Sequence, residues 1–145
     1  MLDGGGGNDR LYGGRGDDLL RGLSNSDLLV GEGGNDTLQG GNGTDIIHAG
    51  SGADVVDGGD ADDVIFGGFG ADEITGGDGD DVIDGEGGGD TIDGLGGNDL
   101  IDGGTGSDLV RGGDGDDALI GIEENDVVFG GSGSDIIDAD PLRVG

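Results

Sequence analysis

An aliphatic side chain recurs at every ninth position, beginning Leu11, Leu20, Leu29, Leu38, Ile47 and ending Leu119, Val128, Ile137, with no insertion or deletion. Numbered from Gly4, the chain cycles through Gly-Gly-x-Gly-x-Asp-x-aliphatic-x in fifteen consecutive copies over residues 4–138. So short and fixed a period marks a stacked repeat architecture, in which no single repeat folds alone. β-Branched and aliphatic residues crowd positions 7 to 9, which predicts a three-residue strand there. Positions 1 to 6 then form a tight loop. Alternate strand residues face opposite sides, and position 9 includes Asp57, Asp84, Asp93, Asp102 and Asp138. Position 8 therefore faces inward and positions 7 and 9 face water.

One nonapeptide cannot bury its own aliphatic residue, but two per turn can, with their position-8 side chains meeting between two sheets. The expected fold is all-β: a flattened right-handed parallel coil of seven and a half turns, odd repeats in one sheet and even repeats in the other. At the usual strand spacing of ~4.8 Å it would be about 36 Å long. Met1-Leu2-Asp3 is in phase as positions 7 to 9 of a preceding repeat, so residues 1–138 form the repeat domain. Residues 139–145 lie outside the phase, with Pro141 set to interrupt pairing. The expectation is a slice of a longer array or protein; the competing one is a self-stacking subunit whose open edge meets another chain.

Glycine at fixed spacing marks backbone that takes positive φ or approaches something closely. Position 1 departs from glycine only at Ala49, and position 4 only at Asn25, Ala61 and Glu124. Position 2 departs at Leu23, Glu32, Glu86, Leu95 and Ile122. Because Ile122 fits positive φ poorly, position 2 is expected to be the least constrained of the three. Repeats 3 and 14 lack glycine at both positions 2 and 4 but keep Asp27 and Asp126. Register should survive there while nearby cation sites weaken. Glu123 and Glu124 read as a solvated loop rather than as added ligands.

Segments such as Gly76-Gly77-Asp78-Gly79-Asp80-Asp81-Val82-Ile83-Asp84 and Gly40-Gly41-Asn42-Gly43-Thr44-Asp45-Ile46-Ile47-His48 resemble the nonapeptide of the RTX repeat family without departure. The resemblance covers essentially the whole chain. It implies a parallel β-roll of the haemolysin and serralysin type, with Ca²⁺ held between loops of adjacent turns. The implied carboxylate ligands are Asp9, Asp18, Asp27, Asp36, Asp45, Asp54, Asp63, Asp72, Asp81, Asp90, Asp99, Asp108, Asp117, Asp126 and Asp135. Loop carbonyls would complete the shell, from Gly5, Gly7, Gly14, Gly16, Gly41, Gly43, Gly50 and Gly52. Further along they would come from Gly68, Gly70, Gly77, Gly79, Gly104, Gly106, Gly113 and Gly115. The family context implies an extracellular protein exported by type I secretion, with calcium as partner.

Composition makes a cation necessary. Forty-two glycines, 34 acidic residues and five arginines leave a formal charge of −29, and such chains stay disordered unaided. With two repeats per turn, Asp of repeat n sits above Asp of repeat n+2, which allows thirteen interior sites. Thirteen Ca²⁺ would supply 26 positive charges against that −29. Calcium suits pliable oxygen-lined loops, whereas Mg²⁺ demands a stricter octahedron. A chain of this kind should remain unfolded at cytosolic calcium and fold outside, where it stabilises or helps export an attached domain. The alternative is a self-assembling fibre, adhesin or surface-layer element built from rolls.

Catalysis finds no support. Metalloprotease, nucleophile-elbow and phosphate-loop motifs are absent, cysteine is absent, and the single histidine, His48, falls at outward position 9. Acidic pairs such as Asp62/Asp63 recur with the loop and have no substrate cleft, which argues against a glycosidase. The strong acidity disfavours nucleic acid and anionic membrane surfaces. One surface stands out. Outward residues of the odd sheet, Leu28, Ile46, Val64, Phe66, Val82, Leu100 and Ile136, predict an apolar stripe about 30 Å long. Stripes of that scale usually contact a second copy or a neighbouring domain.

Overall fold

The computed structural model describes residues 1–122 and 125–138. Glu123, Glu124 and the tail 139–145, with the expectations attached to them, lie outside the described residues. Strands follow one another in chain order as β1 (Leu2–Gly6), β2 (Arg10–Arg15), β3 (Leu19–Ser24), β4 (Leu28–Gly33), β5 (Thr37–Asn42) and β6 (Ile46–Ser51). The middle holds β7 (Val55–Asp60), β8 (Val64–Gly70), β9 (Glu73–Asp78), β10 (Val82–Gly88) and β11 (Thr91–Gly96). Then come β12 (Leu100–Asp102), β13 (Thr105–Gly106), β14 (Leu109–Asp114), β15 (Ala118–Ile120), β16 (Val127–Ser132) and β17 (Ile136–Ile137).

The strands sort into two parallel sheets. One runs β1-β3-β5-β7-β9-β11-β14-β16 and carries the even repeats. The other runs β17-β15-β12-β10-β8-β6-β4-β2 and carries the odd ones, with β13 pairing beside β10. Each strand pairs with the one eighteen residues away, as in Leu29↔Ile47, Ile47↔Ile65 and Ile65↔Ile83. The fold is thus the two-repeat-per-turn parallel β-solenoid that the period predicts. Between the sheets, the position-8 side chains from Leu11 to Leu119 form one continuous buried core with Ala49. Val128 only packs partly against that core, and Ile137 is 49% exposed, so the inward rule weakens in the last two repeats. There Ile137 sits on a two-residue strand paired to β15 alone.

Two expectations need correction. Most strands run six residues, not three, because pairing continues through positions 1, 2 and 3 of the next repeat, as in Thr37-Leu38-Gln39-Gly40-Gly41-Asn42. Position 2 is also far from unconstrained. It holds positive φ even where it is not glycine, at Leu23 (81°), Glu32 (74°), Glu86 (63°) and Leu95 (74°). The left-handed residue turns the chain while keeping it in the ladder, which is why the strand outlasts its apolar segment. Position 1 is glycine for a different reason. It points inward, and a Cβ on Gly40 would strike the Asp45 carboxylate and the Gly58 carbonyl.

Candidate metal centre

The alternating pleat sends position 6 inward as well as position 8, so each motif aspartate lies at the roll's edge with its side chain under the loops. From Asp27 to Asp117 every motif aspartate is buried, at no more than 4% exposure. Asp9, Asp18, Asp126 and Asp135 are half-buried. A single geometry repeats. From Asp9 to Asp117, the backbone N–H of the motif aspartate donates to Oδ1 of the aspartate eighteen residues on, as from Asp45 to Asp63 (2.7 Å), Asp63 to Asp81 (2.8 Å) and Asp81 to Asp99 (2.9 Å). Two columns of stacked carboxylates result, one along each edge.

Most of the buried carboxylates are only half satisfied. Oδ2 of Asp27, Asp36, Asp45, Asp54, Asp63, Asp72, Asp81, Asp90, Asp99 and Asp117 is buried without a hydrogen-bond partner. Burying an ionised oxygen unpaired is costly, and the carboxyl groups respond. Loss of water pushes Asp63 up to about 7, against the opposing pull of the Asp45 N–H and with a further push from neighbouring carboxylates. Asp45, Asp54, Asp81, Asp90 and Asp99 rise to about 6 for the same first reason. Asp36, Asp72 and Asp117 also rise.

Loop backbone surrounds these oxygens. Position-3 carbonyls accept from position-4 N–H groups, as Phe69 does from Gly52 (2.8 Å), and position-6 carbonyls accept from position-7 N–H groups. Carbonyls at positions 2 and 4 point at the next loop of the same edge, where a Cβ on Gly59 would meet the Gly41 oxygen and one on Gly70 the Gly52 oxygen. Those are the positions of the glycines named from the sequence. Among the described residues, no group of three or more His, Cys, Asp or Glu side chains converges to hold a metal. The donor set is therefore sparse carboxylate plus abundant carbonyl oxygen, the hard ligands that a loosely coordinated Ca²⁺ takes and that nitrogen- and sulfur-seeking Zn²⁺ does not. The unpartnered buried Oδ2 atoms fit such an ion.

A second ladder escaped sequence reasoning. Position-5 side chains link outward of the aspartate columns on both edges: on one, Asp80 N–H donates to Asp62 (2.9 Å), Asn98 to Asp80 (2.7 Å), Asp116 to Asn98 (2.9 Å) and Ser134 to Asp116 (2.8 Å), and on the other Asn35 N–H donates to Asp17 (2.8 Å) and Ala53 to Asn35 (2.9 Å). Its signal in the sequence is Asp or Asn at eighteen-residue spacing, one position before the motif aspartate. The apolar stripe lies on the odd sheet as expected, though unevenly: Ile46, Val82, Leu100 and Ile136 are exposed, while Leu28, Val64 and Phe66 are half-buried by their neighbours. Exposed apolar residues are not confined to that face, since Val55, Leu95 and Phe129 lie on the other sheet.

A parallel solenoid with columns of unpartnered carboxylate oxygens along both edges is, as a class, a cation-binding repeat protein. The family described as RTX calcium-binding nonapeptide repeat (4 copies) matches residues 1–29, 21–56, 57–92, 93–121 and 111–141. The chain belongs to that family, and it is a Ca²⁺-binding repeat module. No curated protein matches it at a significant level.

Proposed function

We propose that the chain is a calcium-dependent structural module of a secreted bacterial protein. It folds outside the cell as Ca²⁺ enters the two aspartate columns, and the resulting roll stabilises or helps export a domain attached to it. The observation that carries this reading is the run of buried Oδ2 atoms without partners. A folded, metal-free roll would hold unpaired charge along both edges, and a chain of net charge −29 has little else to offset it. Each ion would sit between loops of repeats n and n+2, on the motif aspartates and on carbonyls at positions such as Gly41, Gly43, Gly50, Gly52, Gly68 and Gly70. The stacking admits thirteen interior positions. When bound, Ca²⁺ supplies charge neutralisation and cross-links successive turns. The chain's own part is to present oxygens and, through glycine, to leave room for them.

Far-UV circular dichroism of the whole chain tests this. In EGTA the spectrum should be mostly disordered, and β signal should appear cooperatively at roughly 0.1 to 1 mM Ca²⁺, the range of extracellular modules. Magnesium at equal concentration should do far less. A full β spectrum in EGTA at low salt would overturn the reading.

A second reading, self-assembly into a fibre or surface element, draws on one specific feature. On the odd sheet, the Ile46 and Val64 column runs beside a His48–Phe66 stack with ring centroids 4.7 Å apart, and Phe69 of β8 is 77% exposed. In so acidic a chain this uncharged patch is where a second copy could approach without repulsion. Val64→Lys with Val82→Lys should keep the calcium-induced β signal yet abolish association in sedimentation. A strictly monomeric calcium-loaded wild type at high concentration would exclude this reading.

A further inference from the structure

Over loops 6 to 13 the two edges of the roll share one inner design but differ in what surrounds it; nearer the N-terminus the even edge has an outer acid of its own, Asp17, which bears on Asp36. On the edge built from loops 7, 9, 11 and 13, the inner column is Asp63, Asp81, Asp99 and Asp117, at 1–2% exposure and with unpartnered Oδ2. Loops 6, 8, 10 and 12 build the other edge, whose inner column includes Asp54, Asp72 and Asp90 at 1–3% exposure, again with unpartnered Oδ2. Outside these columns the match ends. Positions 3 and 5 of the odd loops carry Asp60, Asp62, Asp78, Asp80, Asp114 and Asp116, with Gly96 and Asn98 in loop 11. The same positions of the even loops carry Ser51, Ala53, Phe69, Ala71, Gly87, Gly89, Thr105 and Ser107. Glu86 at position 2 is the one outer carboxylate within these loops, and Asp84 and Asp102 reach loops 10 and 12 from the strands, accepting from the Glu86 (2.9 Å) and Gly104 (3.0 Å) N–H groups.

Three of these outer acids, Asp62, Asp80 and Asp116, are held in place. Asp62 and Asp80 are tied into the position-5 ladder by backbone N–H groups, and Asn98 adds its side-chain amide to Asp80 at 3.0 Å. They also bear electrostatically on the inner column: Asp62 and Asp80 on Asp81, Asp80 on Asp99, and Asp116 on Asp117. The inner aspartates Asp54 and Asp90 feel only members of their own column. A divalent ion entering the odd edge therefore meets a stronger negative field than one entering the even edge, with the same inner oxygens in both cases.

We propose that the two edges load as two classes of calcium site, the odd edge at loops 7 to 13 filling first and the even edge at loops 6 to 12 filling second. This rests on the calcium reading above and adds an order to it. Charge count tunes the affinity of oxygen-ligand calcium sites over orders of magnitude, and these outer carboxylates lie in solvent where their field is partly screened. The odd edge should accordingly saturate at about tenfold lower calcium at low ionic strength. The gap should narrow as salt rises.

The test is an amide NMR titration of the whole chain with CaCl₂, following Gly79 and Gly97 on the odd edge against Gly70 and Gly88 on the even edge. Odd-edge signals should reach their calcium-bound positions first. Replacing the six outer aspartates by asparagine (Asp60→Asn, Asp62→Asn, Asp78→Asn, Asp80→Asn, Asp114→Asn, Asp116→Asn) keeps every ladder acceptor while removing the charge. That variant should still fold in excess calcium, with the two edges now saturating together. Ala53→Asp with Ala71→Asp should pull the even edge toward the odd one. Simultaneous saturation of both edges in the wild type overturns the proposal, as does an order that survives the asparagine variant. If no signal responds to calcium, the functional reading itself falls, which is a different result from a single class of sites.

Discussion

Repeats 3 and 14 carry the same defect and meet different fates. Both lack glycine at motif positions 2 and 4. In repeat 3 the loop survives: Leu23 and Asn25 adopt φ of 81° and 73°, β3 keeps its six residues, and Asn25 Oδ1 even accepts from the Gly7 N–H at 3.2 Å. In repeat 14, β15 stops after three residues at Ile120. Positive φ falls at Gly121 (65°), and Ile122 turns in against the core. Leucine and asparagine bear the left-handed region at a cost of about 1–2 kcal/mol, whereas a β-branched residue resists it far more. The chain yields at Ile122. Beyond the altered loop the ladder resumes in register, with Leu109↔Val127 and Val110↔Val128, because the next aliphatic residue, Val128, still packs against the end of the core. Loop chemistry thus decides the path of one turn, and core phase decides where the following turn begins.

The strongest way to break this comparison is to force a side chain into a regular loop. Gly70 sits at position 4 with φ of 144°, and a Cβ there would lie on the Gly52 carbonyl. Ala61, at the same motif position, has φ of 77° instead. Gly70→Ala should cost on the order of 3 kcal/mol and raise the calcium midpoint for β structure, while Ala61→Gly should stay near neutral in the same titration. Equal midpoints would show that loops adapt freely and that residue type does not separate repeat 3 from repeat 14.

Acidification comes next. Burial raises the folded pKa values of Asp45, Asp54, Asp81, Asp90 and Asp99 to about 6 and that of Asp63 to about 7, against about 3.9 for an unfolded aspartate. The metal-free roll thus binds more protons than the unfolded chain between about pH 4 and 7, and its stability falls as pH rises through that window. In EGTA, β signal should grow as pH drops from 7.5 toward 5, led by the central repeats. In saturating calcium the trend should reverse, since bound carboxylates must be ionised. Circular dichroism at both conditions checks the sign.

A smaller difference should separate central and altered repeats directly. Asp81 is 1% exposed and closes a loop that keeps all three motif glycines, while Asp126, half-buried, closes the altered loop of repeat 14. Asp81→Ala should raise the calcium midpoint more than Asp126→Ala. Equal shifts would contradict a stiffer centre. Smallest of all, Leu23→Gly should relieve the left-handed strain of an exposed residue and add about 1 kcal/mol, seen as a slightly lower calcium midpoint. No gain would mean that the Leu23 side chain contributes contacts worth as much as its strain.

The period alone determined a great deal. An aliphatic residue at one phase fifteen times can be buried only by stacking two repeats per turn, so the parallel pairing, the split of odd and even repeats between sheets and the vertical stacking of aspartates were all legible. These depend on spacing, which a sequence displays directly. What the tertiary structure decided lies perpendicular to the chain, in contacts between residues eighteen apart. It set the length of the strands, because left-handed residues at position 2 keep the ladder intact where the apolar segment has ended. It gave position 1 its glycine through the space that Asp45 and its equivalents occupy, and it divided the carboxylates of central aspartates such as Asp81 into one satisfied and one unsatisfied oxygen. It also linked Asp62, Asp80, Asn98 and Asp116 along one edge. None of these follows from the motif within one repeat, because each is a relation between neighbouring turns whose separation of a few ångströms exists only once the coil has closed.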